Sequence, residues 1–597
     1  MKSKKSEIRL KGVPICRGIA IGRPLFFTLI DDEAPEFTIP FADIEQEVGR
    51  YRNALSKSRE DVKRLQKKLQ KERILEGEAI LDAHLQMMQD PLLTEYVEQK
   101  IRKTRKNAEF IFQSTINQYQ KKFQSIAEPL FRERFKDIQD ISRRVMGYLR
   151  ESVRVSLSDI PQGSVVFSRD LTASDAAEAN VGYVNGFVTV QGGATSHAAI
   201  VAKAKGIPYI TDVKFDEIGP IDKNAVVIAD GRTGDIIFSP TPDCLEKYIK
   251  LQQGLSEQII DLAKDRHFPS ETKDGYQVKL SANIDMVDEI DAFHEHGGSG
   301  VGLFRSEYIF ISSDSFPTEE EQYQIYQDLI KKMNGYPIVI RTFDFGGDKF
   351  ALNQHLPFEK NLFLGSRAIR FLLKERDIFK VQIRAILRAC KFGDVSIMFP
   401  MISSLPELLE AKEILHEAHR ELLDQKIETV AKIRVGCMIE VPSAVIISDL
   451  LAKECDFLSI GTNDLVQYSL AVDRKNHSSS GAAALTDPSV LRMIKTVVLE
   501  ANRENIPVTL CGEIAADPRF TAVLIGLGVK ELSVSPRYIP AVKRAIRHTT
   551  LVQAIQLAET ALSLTTSRNI LHLLSEEYSK TSPNDRFYNI EHSLHLS

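Results

Sequence analysis

Long apolar runs, an excess of one charge and paired cysteines are all missing from these 597 residues. No stretch offers the roughly 20 apolar residues that a membrane-spanning helix needs. The basic start, MKSKKSEIRLKG, lacks the apolar centre of a secretory signal. Both absences predict a cytoplasmic chain with no membrane partner. Lys and Arg number 77 against 81 Asp and Glu, a net charge of −4. No basic stripe interleaves with aromatics, so nucleic acid is not an expected partner. The six cysteines, Cys16, Cys244, Cys390, Cys437, Cys455 and Cys511, include no CxxC pair. That argues against a zinc site or a dithiol redox motif and predicts that most are small core residues.

What remains is an ordinary globular composition, 43% hydrophobic and 26% charged. The length implies about three or four domains. Residues 8–28 read as short strands and turns around Gly12, Gly18 and Gly22. From about residue 41 the pattern becomes helical. Ile44, Val48, Tyr51, Leu55, Val62, Leu65 and Leu69 keep the spacing of a long amphipathic helix. Helical patterns run to about 150, with a break near Asp90-Pro91. Strand-like runs return at GSVVFS (163–168), GFVTV (186–190) and AVVIADGRTGDIIFS (225–239). A helical block is thus inserted into an α/β domain. Residues 240–267 read as a helical linker.

Beyond the linker, strands and helices alternate: QVKLSANI (277–284), SGVGLFRSE (299–307), PIVIRTFD (337–344), VSIMFPMI (395–402), RVGCMIEVP (434–442), DFLSIGTND (456–464), PVTLCGEIA (507–515) and KELSVSP (530–536). NLFLGSR (361–367) is a ninth, weaker candidate. This alternation predicts a (β/α)8 barrel, with a doubly wound open sheet as the alternative. Polar residues gather at the predicted strand C-termini, the catalytic face of such a barrel: Arg305 and Glu307, Arg341 and Asp344, Glu440, Asn463 and Asp464, Cys511 and Glu513. Arg305 and Arg341, with Arg367 as a further candidate, suit a phosphate or carboxylate ligand. Glu440 and Asp464 are hard oxygen donors of the kind that hold Mg²⁺, or else they neutralise the arginines.

In QGGATSHAAIVA (191–202), Gly192 and Gly193 permit a sharp turn. The apolar run after His197 reads as a helix start, capped by Thr195 or Ser196. His197 would then sit at a helix N-terminus, where anions are favoured. The alternative is a histidine simply packed at a turn.

The segments GGATSHAAIVAKAKGIP, GVGLFRSEYIF, IRTFDFGGDK, FLGSRAIR, IMFPMI, MIEVPSA, SIGTNDLVQYSLAVDR and LCGEIA, in this order, resemble the phosphoenolpyruvate-protein phosphotransferase (enzyme I) family of bacterial sugar phosphotransferase systems. GIAIG (18–22) and DIQDISRRV (137–145) fit as well, so the resemblance covers nearly the whole chain. It implies an α/β multidomain protein. Residues 1–35 and 150–240 would form a swivelling phosphohistidine domain, and 36–149 a helical insertion that docks the phosphocarrier protein HPr. Residues 241–267 would be a linker helix, 268–555 a phosphoenolpyruvate (PEP)-binding barrel that dimerises, and 556–597 a helical tail. By the same resemblance His197 carries the phosphoryl group on Nε2. Arg305, Arg341, Asn463, Asp464 and Arg474 bind PEP, Glu440 and Asp464 hold Mg²⁺, and Cys511 protonates the enolate of pyruvate. The reaction implied is transfer from PEP to His197 and then to HPr, for sugar transport or a regulatory variant of it.

Departures from the family pattern are Ala194 beside the glycine pair, Ala176 where a threonine is common, Lys203 for arginine, and the tract KNHSSSGAAALTDPSV after Arg474. Docking in the insertion is read onto ILEGEAILDAHLQMM (74–88), with Met87 and Met88 expected to be exposed and to offer an apolar groove. Pyruvate, phosphate dikinase and PEP synthase are disfavoured, because the insertion of about 110 residues lacks Gly-rich nucleotide loops.

Overall fold

The computed structural model describes residues 7–27, 34–72, 74–124, 129–150, 156–158, 160–193, 196–215, 225–307, 309, 316–345, 367–472, 485–583 and 585. The chain divides into two compact units, the first running to Ser256 and the second from Glu257 to Glu591.

The first unit is built on eight strands: β1 Ile8–Lys11, β2 Val13–Cys16, β3 Ile19–Phe27, β4 Ser164–Ser168, β5 Val184–Thr189, β6 Tyr209–Thr211, β7 Val227–Asp230 and β8 Asp235–Phe238. They form one sheet in the order β1-β8-β7-β3-β4-β5-β6-β2. The centre, β3 to β6, is parallel. Central parallel strands are covered on both faces, and every residue of β4 is buried. Strand β6, three residues after Pro208, is too short to have shown in the sequence pattern.

Between β3 and β4 lie helices α1 Ile44–Lys71, α2 Leu75–Met87, α3 Val97–Thr104, α4 Ala108–Gln124 and α5 Pro129–Leu149. α1 buries Ile44, Val48, Tyr51, Leu55, Val62 and Leu69, as their spacing predicts. The break at Asp90-Pro91 is present: α2 stops at Met87, and a π-turn segment, Leu92–Tyr96, precedes α3. The expected methionine groove is not. Met88 is 0% exposed, and Met87 packs half-buried against the same core. Leu81, Leu85 and Met88 fall at i, i+4 and i+7, the core-facing stripe of a helix. Two shorter helices follow, α6 Ala173–Glu178 and α7 His197–Ala204, then the long α8 Pro242–Lys264.

The second unit is a closed barrel of β9 Lys279–Ile284, β10 Val301–Arg305, β11 Ile338–Arg341, β12 Val395–Phe399, β13 Arg434–Ile439, β14 Phe457–Ile460, β15 Val508–Leu510 and β16 Glu531–Val534. All neighbours are parallel, and β16 closes on β9 with Glu531 opposite Lys279. These are the eight stronger strand candidates, so the open-sheet alternative falls. The ninth, 361–367, lies outside the described residues except Arg367, and the barrel closes without it. Among the described residues no helix is long and apolar enough to cross a membrane. All six cysteines are free thiols, and five of them are buried.

Candidate active site

In the first unit the chain turns at Gly192 with φ +152°, where a side chain would meet the Tyr209 and Thr211 hydroxyls at 2.7 and 2.9 Å. Ser196 is the N-cap of α7, its hydroxyl accepting from the amide of Ala199 at 3.2 Å. His197 is therefore the first residue of the helix, with its side chain 29% exposed. Its Nδ1 lies 2.9 Å from Asp137 Oδ1 on α5. A carboxylate at Nδ1 fixes the proton there and places the lone pair on Nε2. Behind Asp137 sits His84 of α2, 1% exposed, with Nε2 at 3.1 Å from the same oxygen. Burial opposes the charge of Asp137, but its contacts with the two rings hold the carboxyl down at about 2. Ala176 is fully buried in the core and offers no hydroxyl.

Sequence reading missed Asp137 and His84. The available signal was DIQDISRR, where Asp137, Asp140 and Arg144 fall at i, i+3 and i+7. A polar stripe at that spacing marks a solvated face as easily as a buried one, and here all three are at most 6% exposed.

In the second unit the barrel mouth holds a cavity of about 380 Å³ lined by Arg305, Arg341, Arg367, Glu440, Asn463, Asp464 and Cys511 among others. Arg305 ends β10 and Arg341 ends β11. Glu440 follows β13, Cys511 follows β15, and Asn463 and Asp464 lie in the first turn of helix Thr462–Leu470 after β14. Arg474 lies outside the described residues.

The arginines do not simply repel one another. Arg305 pairs with Asp285 at 3.0 Å. Arg341 pairs with Glu307 and, at 3.1 Å, with Asp344. Arg367 reaches Asp344 at 3.0 Å and Asp464 at 3.5 Å. Arg367 thus joins the site as a third cation, and Asp285 is a partner that the sequence pattern did not flag. Burial pushes the Glu307 carboxyl up, against the pull of Arg341.

Glu440 is different. It is 1% exposed, and no ion pair among the described residues includes it. Its Oε1 accepts the Met401 amide at 2.7 Å, from a residue held at φ +53°. Burial, then the charges of Asp464 and Asp344, push its carboxyl up to about 8. No group of three or more His, Cys, Asp or Glu with metal-binding geometry occurs among the described residues. Glu440 and Asp464 are two such donors on one cavity wall, and their mutual repulsion is what a hard dication relieves, so the pair fits Mg²⁺. Cys511 Sγ donates to the Ile460 carbonyl at 3.5 Å and accepts from the Ser459 hydroxyl at 3.4 Å. Burial pushes its thiol up to about 11, so it stays protonated.

Family models match in chain order: the N-terminal domain of PEP-utilising enzymes over 11–134, their mobile domain over 160–234 and their PEP-binding domain over 260–551. The phosphoenolpyruvate-protein phosphotransferase of Listeria monocytogenes is 36% identical over 570 residues, 96% of this chain and 99% of its own. The chain belongs to the phosphoenolpyruvate-protein phosphotransferase family. The Bacillus subtilis member is 37% identical over 572 residues, 95% of this chain and 99% of its own. The Staphylococcus carnosus member is 35% identical over 574 residues, 96% and 100% of the two chains. A solution structure of an Enzyme I (nEIt) protein covers 41% of this chain and 98% of its own at 32% identity, with a TM-score of 0.36.

Proposed function

We propose that this member of the family takes the phosphoryl group of PEP onto Nε2 of His197 and passes it to the phosphocarrier protein HPr, releasing pyruvate. The observation that carries the reading is the engagement of His197 Nδ1 by Asp137 at a helix N-terminus. It leaves Nε2 as the nucleophile beside amides that favour an anion.

The barrel binds PEP. Arg305, Arg341 and Arg367 neutralise its phosphate and carboxylate, joined by Asn463, Asp464 and, from outside the described residues, Arg474. PEP takes over charge now shared with Asp285, Glu307 and Asp344, so the arginines are paid for before the substrate arrives. Held by Glu440 and Asp464, Mg²⁺ would supply positive charge to phosphate and enolate oxygens. Nε2 attacks phosphorus in line, and the bond from phosphorus to the enolate oxygen breaks. Cys511 then gives its thiol proton to the enolate carbon, making pyruvate, and regains a proton from water. In this reading residues 1–35 and 150–240 form the phosphohistidine domain, 36–149 dock HPr, 241–267 link, 268–555 form a dimerising barrel and 556–597 its tail. The test is His197→Ala with radiolabelled PEP and Mg²⁺. Acid-labile label should vanish while PEP still protects the barrel against heat. Label at the wild-type level would move the phosphosite elsewhere.

A further inference from the structure

Behind His197 lies a chain of buried charged groups that PEP chemistry does not explain. His84 has one ring nitrogen 3.1 Å from Asp137 Oδ1 and the other 3.8 Å from Asp140 Oδ2. Both are close polar contacts rather than aligned hydrogen bonds. Asp140 in turn meets Arg144 at 3.9 Å, and Arg144 meets Glu178 of α6 at 3.0 Å. Ser156 donates to the far oxygen of Glu178 at 2.7 Å. Lys68 of α1 donates to the Glu178 backbone carbonyl at 2.8 Å. Apart from Lys68 and Ser156, every member behind His197 is at most 6% exposed.

We propose that His84 and Asp137 are positioning residues that form, with His197, a buried His–Asp–His relay: His84 holds the Asp137 carboxylate against His197 Nδ1, and so sets the tautomer and the phosphoryl-donor strength of that ring. The inference rests on His197 as the phosphoryl carrier.

The physical argument has two parts. First, a buried carboxylate needs partners. Among the described residues, Asp140 and Glu178 pair with the permanent cation Arg144, with Lys68 at the edge, while Asp137 meets two imidazole rings. The rings of His84 and His197 are the groups that face Asp137 among the described residues. Without His84, Asp137 keeps His197 as its sole ring partner, and its oxygen is free to turn away. Second, once Nε2 bears phosphorus, Nδ1 is the ring's one protonable atom. A carboxylate there favours the protonated ring. When the phosphorus–Nε2 bond breaks towards the acceptor, the electron pair returns to a ring that still holds its Nδ1 proton, and the leaving group is neutral imidazole rather than imidazolate. Relay strength therefore bears on onward transfer as well as on loading.

The experiment uses the full chain with His84→Leu, His84→Gln, Asp137→Asn and His197→Ala. Phosphorylation by PEP is followed across pH 5–9, and the His197 tautomer is read from ring nitrogen NMR shifts assigned with His197→Ala. Outer partners of this kind typically contribute about 10–100-fold. His84→Leu should slow phosphorylation by that factor, mix the tautomers and shift the pH profile. His84→Gln keeps an N–H donor and should recover much of the rate. If leucine unfolds the unit, a shifted profile in His84→Gln and Asp137→Asn supports the relay, and wild-type profiles in both overturn it. A His84→Leu protein that melts earlier with unchanged tautomer and profile makes His84 a packing residue and overturns the relay. Label surviving in His197→Ala overturns the carrier reading and the relay together. Label lost there, with wild-type behaviour in both His84 variants, overturns the relay alone.

Discussion

At Cys511 a single atom separates two roles. A core thiol and a proton donor occupy the same place, and Ser459 and Ile460 hold Sγ in either case. Cys511→Ser is nearly isosteric, so packing alone predicts a modest stability loss and normal turnover. A hydroxyl is a far weaker acid than even a thiol at about 11, so the donor role predicts a large fall in pyruvate release. Phosphorylation of His197 should persist, since it precedes protonation. Near-normal pyruvate release would hand the acid role to water. Glu440 makes a second residue-scale prediction, with the sign set by its raised carboxyl. Its unfolded value is 4.5 and its folded value about 8. Its contribution to stability is therefore full below about pH 4.5 and is lost as pH rises through about 8. In metal-free protein the melting temperature of the barrel transition should fall over that window. Glu440→Gln should flatten the fall, and Mg²⁺ should reverse it in the wild type only. A wild-type slope in Glu440→Gln would refute this.

Elements show what sequence patterns can and cannot carry. The barrel strands were legible because each is a short, largely apolar run, most of them ending on a charged or polar residue, and chain order then puts those ends on one face. Helix α1 was legible from its period. Asp137, His84 and Asp285 were not, because they act across elements. Their partners are 60, 53 and 20 positions away in the chain, and helical spacing alone does not say which polar face is buried. The error at Met88 has the same origin: a methionine at a helix end reads as exposed until a neighbouring element covers it. Close approach is equally invisible in the pattern. Gly512, after β15, faces the Thr462 side chain, and a methyl placed on it would overlap the hydroxyl. Gly461 faces Glu440 Oε2, which an added Cβ would meet at 2.8 Å. Gly512→Ala should therefore cost about 1–3 kcal/mol by overpacking and displace Thr462 with the turn that carries Asn463 and Asp464. Thermal melts and PEP titration check this. An unchanged melting temperature with unchanged affinity for PEP would mean the turn gives way freely.

Across the whole molecule, His197 and the barrel-mouth cavity lie in different compact units. The linker helix α8 is anchored in each by its own contacts. Gln252 donates to the Ile19 carbonyl in the first unit, at 2.7 Å. Asp261 and Asp265 pair with Arg544 in the second, at 2.8 and 2.6 Å. The division also makes the chemistry separable. On the proposed roles, loading from PEP would need both units, whereas acceptance of phosphate back from phosphorylated HPr would need only His197 and the groups behind it. Glu440→Ala removes a carboxylate from the barrel mouth and changes no residue of the first unit. It should abolish loading from PEP, by at least about 100-fold for a group that binds where charge develops, and leave back-transfer from phosphorylated HPr within a few-fold of wild type. His197→Ala should abolish both. If Glu440→Ala lost both reactions equally, the two centres would not be independent, and the assignment of the first unit as a self-sufficient phosphoryl carrier would fail.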